Sequence, residues 1–264
     1  MIEAARRAGL VLRAIGGVAV ALHSDPAIPR ALRRRYQDID IVVPKRHGAG
    51  AVRLLAQLGY EPHHRFNALN SERRMIVFDP ENGRQIDIFV GSFRMCHAIP
   101  IANRLHIETH TVPLAELLLT KLQVVELTAK DIADILALVL LHDVGEGDLE
   151  TINHELIAAL LAEDWGLWRT VRGTTETVTR EIASSQLESA QQALIADRLA
   201  RLWARVEAQP RSLRWRARSR IGERIRWYDL PEEIDRPTID RAAGRTGRDG
   251  FLRSDVLRMQ EGEM

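Results

Sequence analysis

The sequence feature that most constrains this chain is a short β-branched run in which aspartates alternate with apolar residues. Residues 38–44 read DIDIVVP, and the run from Ile39 to Val43 predicts a strand that ends at Pro44. Asp38 and Asp40 are two positions apart, so their side chains lie on one face of that strand. Two such carboxylates repel each other unless a cation lies between them. Because oxygen ligands suit Mg²⁺, the run predicts a magnesium site, with a solvated strand end as the alternative.

A third aspartate lies in a second apolar run. Asp87 is flanked by Ile86 and Ile88 in a strand predicted from Gln85 to Val90. A carboxylate buried among such residues is unfavourable unless it is paired. If the two strands are neighbours, Asp87 completes a site of three carboxylates.

A glycine pair precedes these strands. Gly16 and Gly17 follow a helix predicted over residues 3–15 and precede a second one from Val18 to His23. A helix start without Cβ atoms lets a phosphate approach backbone N–H groups at the positive helix end. A glycine pair alone is typical of an ordinary turn. The order of glycine pair, first aspartate strand and later aspartate strand indicates a phosphate-binding, metal-dependent enzyme.

The predicted elements divide the chain into an α/β part and a helical part. The turn sequence DPENG at residues 79–83 predicts a hairpin between two of the strands. We therefore expect an α+β fold, in which a small mixed-sheet core precedes a helical region. The expected divisions are a core at 1–112, a helical region at 113–234 and a flexible polar tail at 235–264. Beyond residue 112, helices are predicted over 113–126, over 128–142 and within 150–208.

Composition limits the class of protein. With 264 residues, of which 45% are hydrophobic, the chain can bury a core. Cys96 is its single cysteine, which fits a reducing compartment. The stretch from Ala8 to Leu22 has some character of a signal peptide, but Arg13 interrupts it. Since no apolar run reaches the roughly 18 residues of a membrane span, we expect a soluble, cytoplasmic protein without a membrane partner.

The runs IGGVAVALH, RRRYQDIDIVV and RQIDIFVG together resemble the nucleotidyltransferase superfamily typified by DNA polymerase β. The resemblance is nearest to the branch of abortive-infection type toxins and minimal or antibiotic-modifying nucleotidyltransferases. It implies transfer of a nucleoside monophosphate from an NTP, with Mg²⁺ or Mn²⁺, to a hydroxyl of RNA, protein or a small molecule. It also implies an antitoxin partner if the chain is a toxin.

The same resemblance assigns residue roles. Asp38, Asp40 and Asp87 are the implied catalytic metal ligands. The implied contacts to the triphosphate are Gly16, Gly17 and Arg34. Two departures from the family are the longer gap between the glycine pair and the first aspartate, which implies a larger loop over the phosphates, and Tyr36, which stands where the family often has Ser or Thr.

A longer run, LAELLLTKLQVVELTAKDIADILALVLL, extends the resemblance. It implies that Lys121 contacts the phosphates and that Asp131 shapes the nucleotide pocket. Structural interpretations stand beside both roles. Lys121 fits the exposed side of an amphipathic helix, and Asp131 has capping-box spacing from Thr128.

Residues 211–226 contain seven arginines and one acid, Glu223, with Trp215 among them and Trp227 directly after them. A basic stripe with aromatics suits RNA or another phosphate-rich partner. The segment from Arg211 to Arg226 is therefore the predicted contact for a nucleic-acid acceptor. The alternative is a solvated helix whose tryptophans pack on the core.

Two other functions compete with the transferase. A non-catalytic nucleotide-binding or operon-partner protein could share the fold, although the retention of all three carboxylates argues against it. His142 and Asp143 resemble the metal-binding pair of HD-type phosphohydrolases, which need a further histidine on an upstream helix. The nearby candidates, His106 and His110, lie in a polar segment before Pro113 instead.

Overall fold

A computed structural model describes residues 1–24 and 28–230 of the chain, and the predicted polar tail at 235–264 lies outside these residues. A five-stranded mixed sheet occupies the first part. Its strands are β1 (Arg13–Ile15), β2 (Ile39–Val43), β3 (Glu61–Pro62), β4 (Arg74–Asp79) and β5 (Arg84–Val90). Their order across the sheet is β1-β2-β5-β4-β3, with β2 parallel to β5 and the other pairs antiparallel.

Helices surround this sheet and form most of the second part. Those of the first part are α1 (Ile2–Arg7), α2 (Gly16–His23), α3 (Gly48–Gln57) and α4 (His64–Asn70). Those of the second part are α5 (Leu114–Leu122), α6 (Ala129–Leu141), α7 (His154–Glu163), α8 (Trp165–Ile182), α9 (Ser189–Ala208) and α10 (Leu213–Ile221). Short strands form two further pairs, β6 (Ser92–Arg94) with β7 (Ala98–Pro100), and β8 (Asp143–Gly145) with β9 (Thr151–Asn153). The α+β class, with an early mixed sheet and a mostly helical second half, is confirmed.

The predicted hairpin is also confirmed. Strands β4 and β5 pair antiparallel from Arg74 opposite Phe89 to Asp79 opposite Arg84. The Asp79 carboxylate accepts hydrogen bonds from two backbone N–H groups of the turn, and Gly83 takes a positive φ of 62°. The local turn chemistry was sufficient to define this unit.

The helix predicted over residues 3–15 is wrong beyond Arg7. The chain turns at Gly9, which has a φ of 70°, and Arg13–Ile15 joins the sheet as an edge strand beside β2. Pairing with β2 satisfies the backbone groups of this short strand, and burial of Leu12 and Ile15 stabilises it further. A partner more than twenty residues away is invisible to local periodicity.

The two faces of the sheet pack against different layers. Ile41 and Val43 of β2 share a hydrophobic cluster with Leu55 of α3. Val42 of β2 and Phe89 of β5 belong instead to a larger cluster, which also contains residues of α5 to α9. The sheet and the helical part therefore share one continuous core across residue 112. Within the described ranges, no helix is both long and apolar enough to cross a lipid bilayer.

Candidate active site

Asp40 and Asp87 lie side by side because β2 and β5 run parallel. The register pairs Asp40 directly with Asp87, between the pairs Ile39 with Ile86 and Ile41 with Ile88. Paired residues on neighbouring strands, about 4.8 Å apart, project from the same face. That face also carries Val42 and Phe89 and is turned toward the helical part.

Asp38 precedes β2 by one residue and is partly buried. The charges of Asp38 and Asp87 both act on the Asp40 carboxyl. Burial and then the charge of Asp87 raise the pKa of Asp40 to about 7, against the opposing charges of Lys121 and Arg74. The pair therefore holds negative charge that its surroundings compensate only in part.

Asp87 has partners that the sequence reasoning did not identify. Arg74 donates to Asp87 Oδ1 from Nε at 2.9 Å and from Nη2 at 2.8 Å. Gln85 Nε2 donates to Oδ2 at 2.9 Å. Gln85 is two residues before Asp87 on one strand face, so the sequence held a signal for it. Arg74 comes close only through the register of the hairpin.

The glycine pair packs against the same carboxylates. Gly16 begins α2 with a φ of 68°, and a Cβ there would lie 2.2 Å from Asp40 Oδ2. A Cβ on Gly17 would lie 2.6 Å both from Arg34 Nη2 and from Tyr36 Cδ1. Only glycine permits these approaches, which bring the positive end of a helix against Asp40 and Arg34.

Arg34 is held from two sides beside the glycine pair. Its guanidinium lies 4.0 Å from the centre of the Tyr36 ring. Its Nε and Nη2 donate to the two carboxylate oxygens of Asp134, each at 2.6 Å. Burial alone would lower the pKa of Arg34, but the hydrogen bonds and charge of Asp134 raise it above its ordinary value. Burial raises the pKa of Tyr36 to about 12, so the ring stays a neutral platform.

Asp134 anchors a second cation as well. Lys121 Nζ lies 2.8 Å from Asp134 Oδ2, and the Asp134 side chain is only 1% exposed. One buried carboxylate on α6 therefore fixes both Arg34 and Lys121. Sequence reasoning singled out Asp131 but missed Asp134, although a carboxylate in the apolar run IADIL needs a partner.

Asp131 lies at the edge of this cluster. It forms a capping box with Thr128 at the start of α6, where its Oδ2 accepts from Thr128 Oγ1 at 2.7 Å. Its Oδ1 is 3.6 Å from Lys121 Nζ. Asp131 therefore caps α6 and makes a longer contact with Lys121. Asp134 is the residue that contacts both Arg34 and Lys121 directly.

The predicted metal ligands have the chemistry that a divalent cation requires, but their side chains are not arranged as a metal site. Carboxylate oxygens are the ligands that Mg²⁺ prefers, and a cation would relieve the repulsion that raises the pKa of Asp40. Among the described residues, however, no three His, Cys, Asp or Glu side chains are grouped as a metal site. Arg74 and Gln85 hold Asp87, so a cation at this site would compete with Arg74 for the Asp87 carboxylate.

The residues of the phosphohydrolase pattern have other partners. A ring nitrogen of His142 lies 3.0 Å from the backbone oxygen of His23. Asp143 is 60% exposed and pairs with Arg201 at 2.6 Å. His110 lies 3.4 Å from Glu3. The histidines and Asp143 are therefore not assembled around one point.

The basic segment combines packed tryptophans with exposed arginines. Trp215 packs edge-on against Trp168 at 5.3 Å, and Trp227 against Trp165 at 6.1 Å. Arg218 donates to two backbone oxygens and lies over Trp165. The tryptophans thus serve packing, while five arginines are exposed: Arg214, Arg216, Arg220, Arg224 and Arg226.

Comparison with known protein families gave no match, and comparison with curated protein sequences gave none either. The resemblance to nucleotidyltransferases therefore stays a prediction from the glycine pair and the aspartate strands of the sequence.

Two glycines with the same backbone conformation test the contact between Gly16 and Asp40. Gly9 has a φ of 70° and open space where a methyl group would stand, whereas a methyl group at position 16 would meet Asp40. Gly9→Ala should lose about 1–2 kcal/mol of unfolding free energy through backbone strain. Gly16→Ala should lose about 1–3 kcal/mol more through overpacking. Urea denaturation measures both, and equal losses would show that the Asp40 contact is unimportant.

Asp40 should make the stability of the metal-free protein fall as pH rises. The unfolded carboxyl releases its proton near pH 4, whereas the folded carboxyl keeps it to about 7. The contribution of this carboxyl to the free energy of unfolding is therefore fully present below about pH 4 and is lost as the pH rises to about 7. Asp40→Asn lacks this pH dependence. The difference between its free energy of unfolding and that of the wild type should therefore shift in favour of the variant by about 1–4 kcal/mol between about pH 4 and about pH 7.

Chemical denaturation in EDTA at several pH values tests this expectation. Asp197→Asn is the matched control, because Asp197 is 62% exposed on α9. If wild type and Asp40→Asn show parallel pH profiles, the carboxyl of Asp40 is not strained by its neighbours.

Proposed function

We propose that this chain is a metal-dependent nucleotidyltransferase, which transfers a nucleoside monophosphate from an NTP to an acceptor hydroxyl. One observation carries the proposal. The paired carboxylates of Asp40 and Asp87 meet the start of α2, and Arg34 and Lys121 lie beside them. Carboxylates that could hold a metal and cations that could contact phosphates therefore lie close together, which supports a role in phosphoryl transfer.

The phosphates of the NTP would bind at the glycine pair. The first turn of α2 has no acidic residue and its Gly17 is partly exposed, so its backbone N–H groups are the proposed donors to the phosphates. Arg34 can offer a guanidinium and Lys121 an ammonium to the same phosphates. Asp134 holds these two cations in position, so little side-chain freedom is lost on binding.

Asp38, Asp40 and Asp87 would hold Mg²⁺ or Mn²⁺. When bound, such an ion supplies neutralisation of the charge that develops on the phosphate oxygens. Asp87 would leave Arg74 to join the other two carboxylates. The resting ion pair with Arg74 keeps the Asp87 charge compensated until then.

The transfer itself is an in-line substitution at the α-phosphorus. The acceptor hydroxyl oxygen forms a bond to that phosphorus as the bond to the bridging oxygen of the β-phosphate breaks, and pyrophosphate leaves. Asp87 is the proposed acceptor of the hydroxyl proton. Arg34 and Lys121 would stabilise charge on the phosphates during this step.

Asp40→Asn is the sharpest test of the proposed activity. Asp87 is less suitable, since its removal also leaves Arg74 without a buried partner. Purified protein is incubated with each labelled NTP, Mg²⁺ and a total lysate, and label is sought in RNA, protein and small molecules. Wild type should label one class of acceptor, and Asp40→Asn should be slower by about a hundredfold or more.

The control for this test is Asp197→Asn, which removes an exposed carboxylate outside the site and should label at the wild-type rate. Undiminished transfer by Asp40→Asn would refute the proposed site. Magnesium-dependent NTP binding by wild type, measured calorimetrically, without transfer to any acceptor would favour the non-catalytic nucleotide-binding alternative.

The exposed arginines after α9 support RNA as the acceptor, because they offer a basic surface with little internal neutralisation. Arg218 is committed to backbone oxygens, so the better test replaces Arg214, Arg220 and Arg224 with Ala. This change should weaken RNA binding. It should also reduce the slope of log binding constant against log salt concentration by about 0.7–0.9 per lost phosphate contact. Affinity for MgNTP should stay the same.

The matched control for the RNA surface replaces three exposed arginines of the sheet part, namely Arg53, Arg65 and Arg73. Fluorescence anisotropy with labelled RNA at several salt concentrations compares the two triple variants. An equal effect of both would show that no specific RNA surface exists after α9.

A further inference from the structure

A cavity opens at the carboxyl ends of the two central strands, β2 and β5. Its volume is about 850 Å³, within the roughly 300–1,000 Å³ typical of small-molecule sites. Pro44 follows β2 and Gly91 follows β5, and both line the cavity. Parallel strands place their carboxyl ends at one edge of a sheet, where ligands of α/β proteins often bind.

This cavity is separate from the aspartate site. Asp40 is three residues before the end of β2, which is about 10 Å along a strand. The apolar side chains of Val42 and Phe89 fill the same sheet face beyond the two aspartates. Residues proposed to bind the NTP do not line the cavity.

The charge of its wall is positive. Its lining contains Lys45, Arg46, Arg104 and His106, and no lining residue carries a carboxylate. Arg104 is compensated by ion pairs with Glu116 and Asp148. In the described part of the chain, by contrast, neither Lys45 nor Arg46 forms an ion pair with an acid. The uncompensated charge is thus concentrated on these two residues.

Lys45 and Arg46 are exposed on a 3₁₀ turn, Lys45–His47, that leads into α3. The first turn of α3 contains no acidic residue. The start of a helix carries partial positive charge and favours anions. The two cations therefore add to a positive potential that an anion would relieve.

The backbone is also shaped around Lys45. Gly91 has a φ of 78°, and a Cβ there would lie 2.8 Å from Lys45 Cγ. The aliphatic stem of Lys45 thus lies directly on the turn that ends β5. Apolar side chains complete the wall, namely Val11, Leu105, Leu156 and Leu160.

From these observations, we propose that this cavity binds a small phosphorylated molecule whose remaining part is apolar. Lys45 and Arg46 bind the phosphate, and the leucines of α7 and of the segment before α5 contact the apolar part. The site is independent of the proposed transferase activity, because it shares no residue with it.

Phenyl phosphate is the probe, since it combines the two expected features. Calorimetric titration of the full chain should give millimolar or tighter binding, and inorganic phosphate should bind more weakly. Replacing both Lys45 and Arg46 with Ala should weaken phenyl phosphate binding by about tenfold or more. Leu160→Trp should weaken it similarly by filling the cavity, without a change in charge.

Controls separate this site from general electrostatics. Arg53→Ala removes an exposed cation of α3 and should leave the affinity unchanged, as should Arg65→Ala, which removes an exposed cation of α4. An unchanged thermal unfolding transition shows that each cavity variant is folded. The proposal is overturned if phenyl phosphate does not bind, if the cavity variants bind it as wild type does, or if Arg53→Ala or Arg65→Ala weakens binding equally.

Discussion

The parallel pairing of β2 with β5 is the constraint on which the rest of the candidate site depends. This register sets Asp40 opposite Asp87 on a buried sheet, where two carboxylates would repel each other. Different neighbours reduce that repulsion at each of the two carboxylates. Arg74 and Gln85 bind Asp87, while Asp40 lies against the start of α2 and keeps a pKa of about 7. A divalent cation would compensate the negative charge that remains on these two carboxylates.

A second carboxylate organises the positive side of the same site. Asp134 is buried on α6, and it fixes Arg34 from the loop before β2 and Lys121 from α5. Since Arg34 and Asp134 are 100 positions apart in the chain, their ion pair links the sheet part to the helical part electrostatically. The continuous hydrophobic core links them by packing. If the proposed function is right, the helical part is therefore needed to hold the phosphates.

Local sequence patterns predicted several secondary-structure elements correctly. The DPENG turn and its flanking apolar runs formed the hairpin, and Thr128 capped α6 as its spacing indicated. The segment before Gly16 was misread because β1 is short and owes its conformation to pairing with β2. Edge strands of three residues carry too little periodicity to be distinguished from a helix by local pattern alone.

The sequence by itself determined the chemical character of the candidate site: aspartates on apolar strands, a glycine pair at a helix start and a lysine on an apolar helix. These follow from alternation along strands and from the properties of single residues. Only the tertiary structure decided which groups meet. It joined Arg74 to Asp87, made Asp134 the partner of Arg34 and Lys121, and packed Trp215 and Trp227 against other tryptophans. Such choices depend on strand register and helix packing, which bring together residues up to a hundred positions apart and leave no local trace in the sequence.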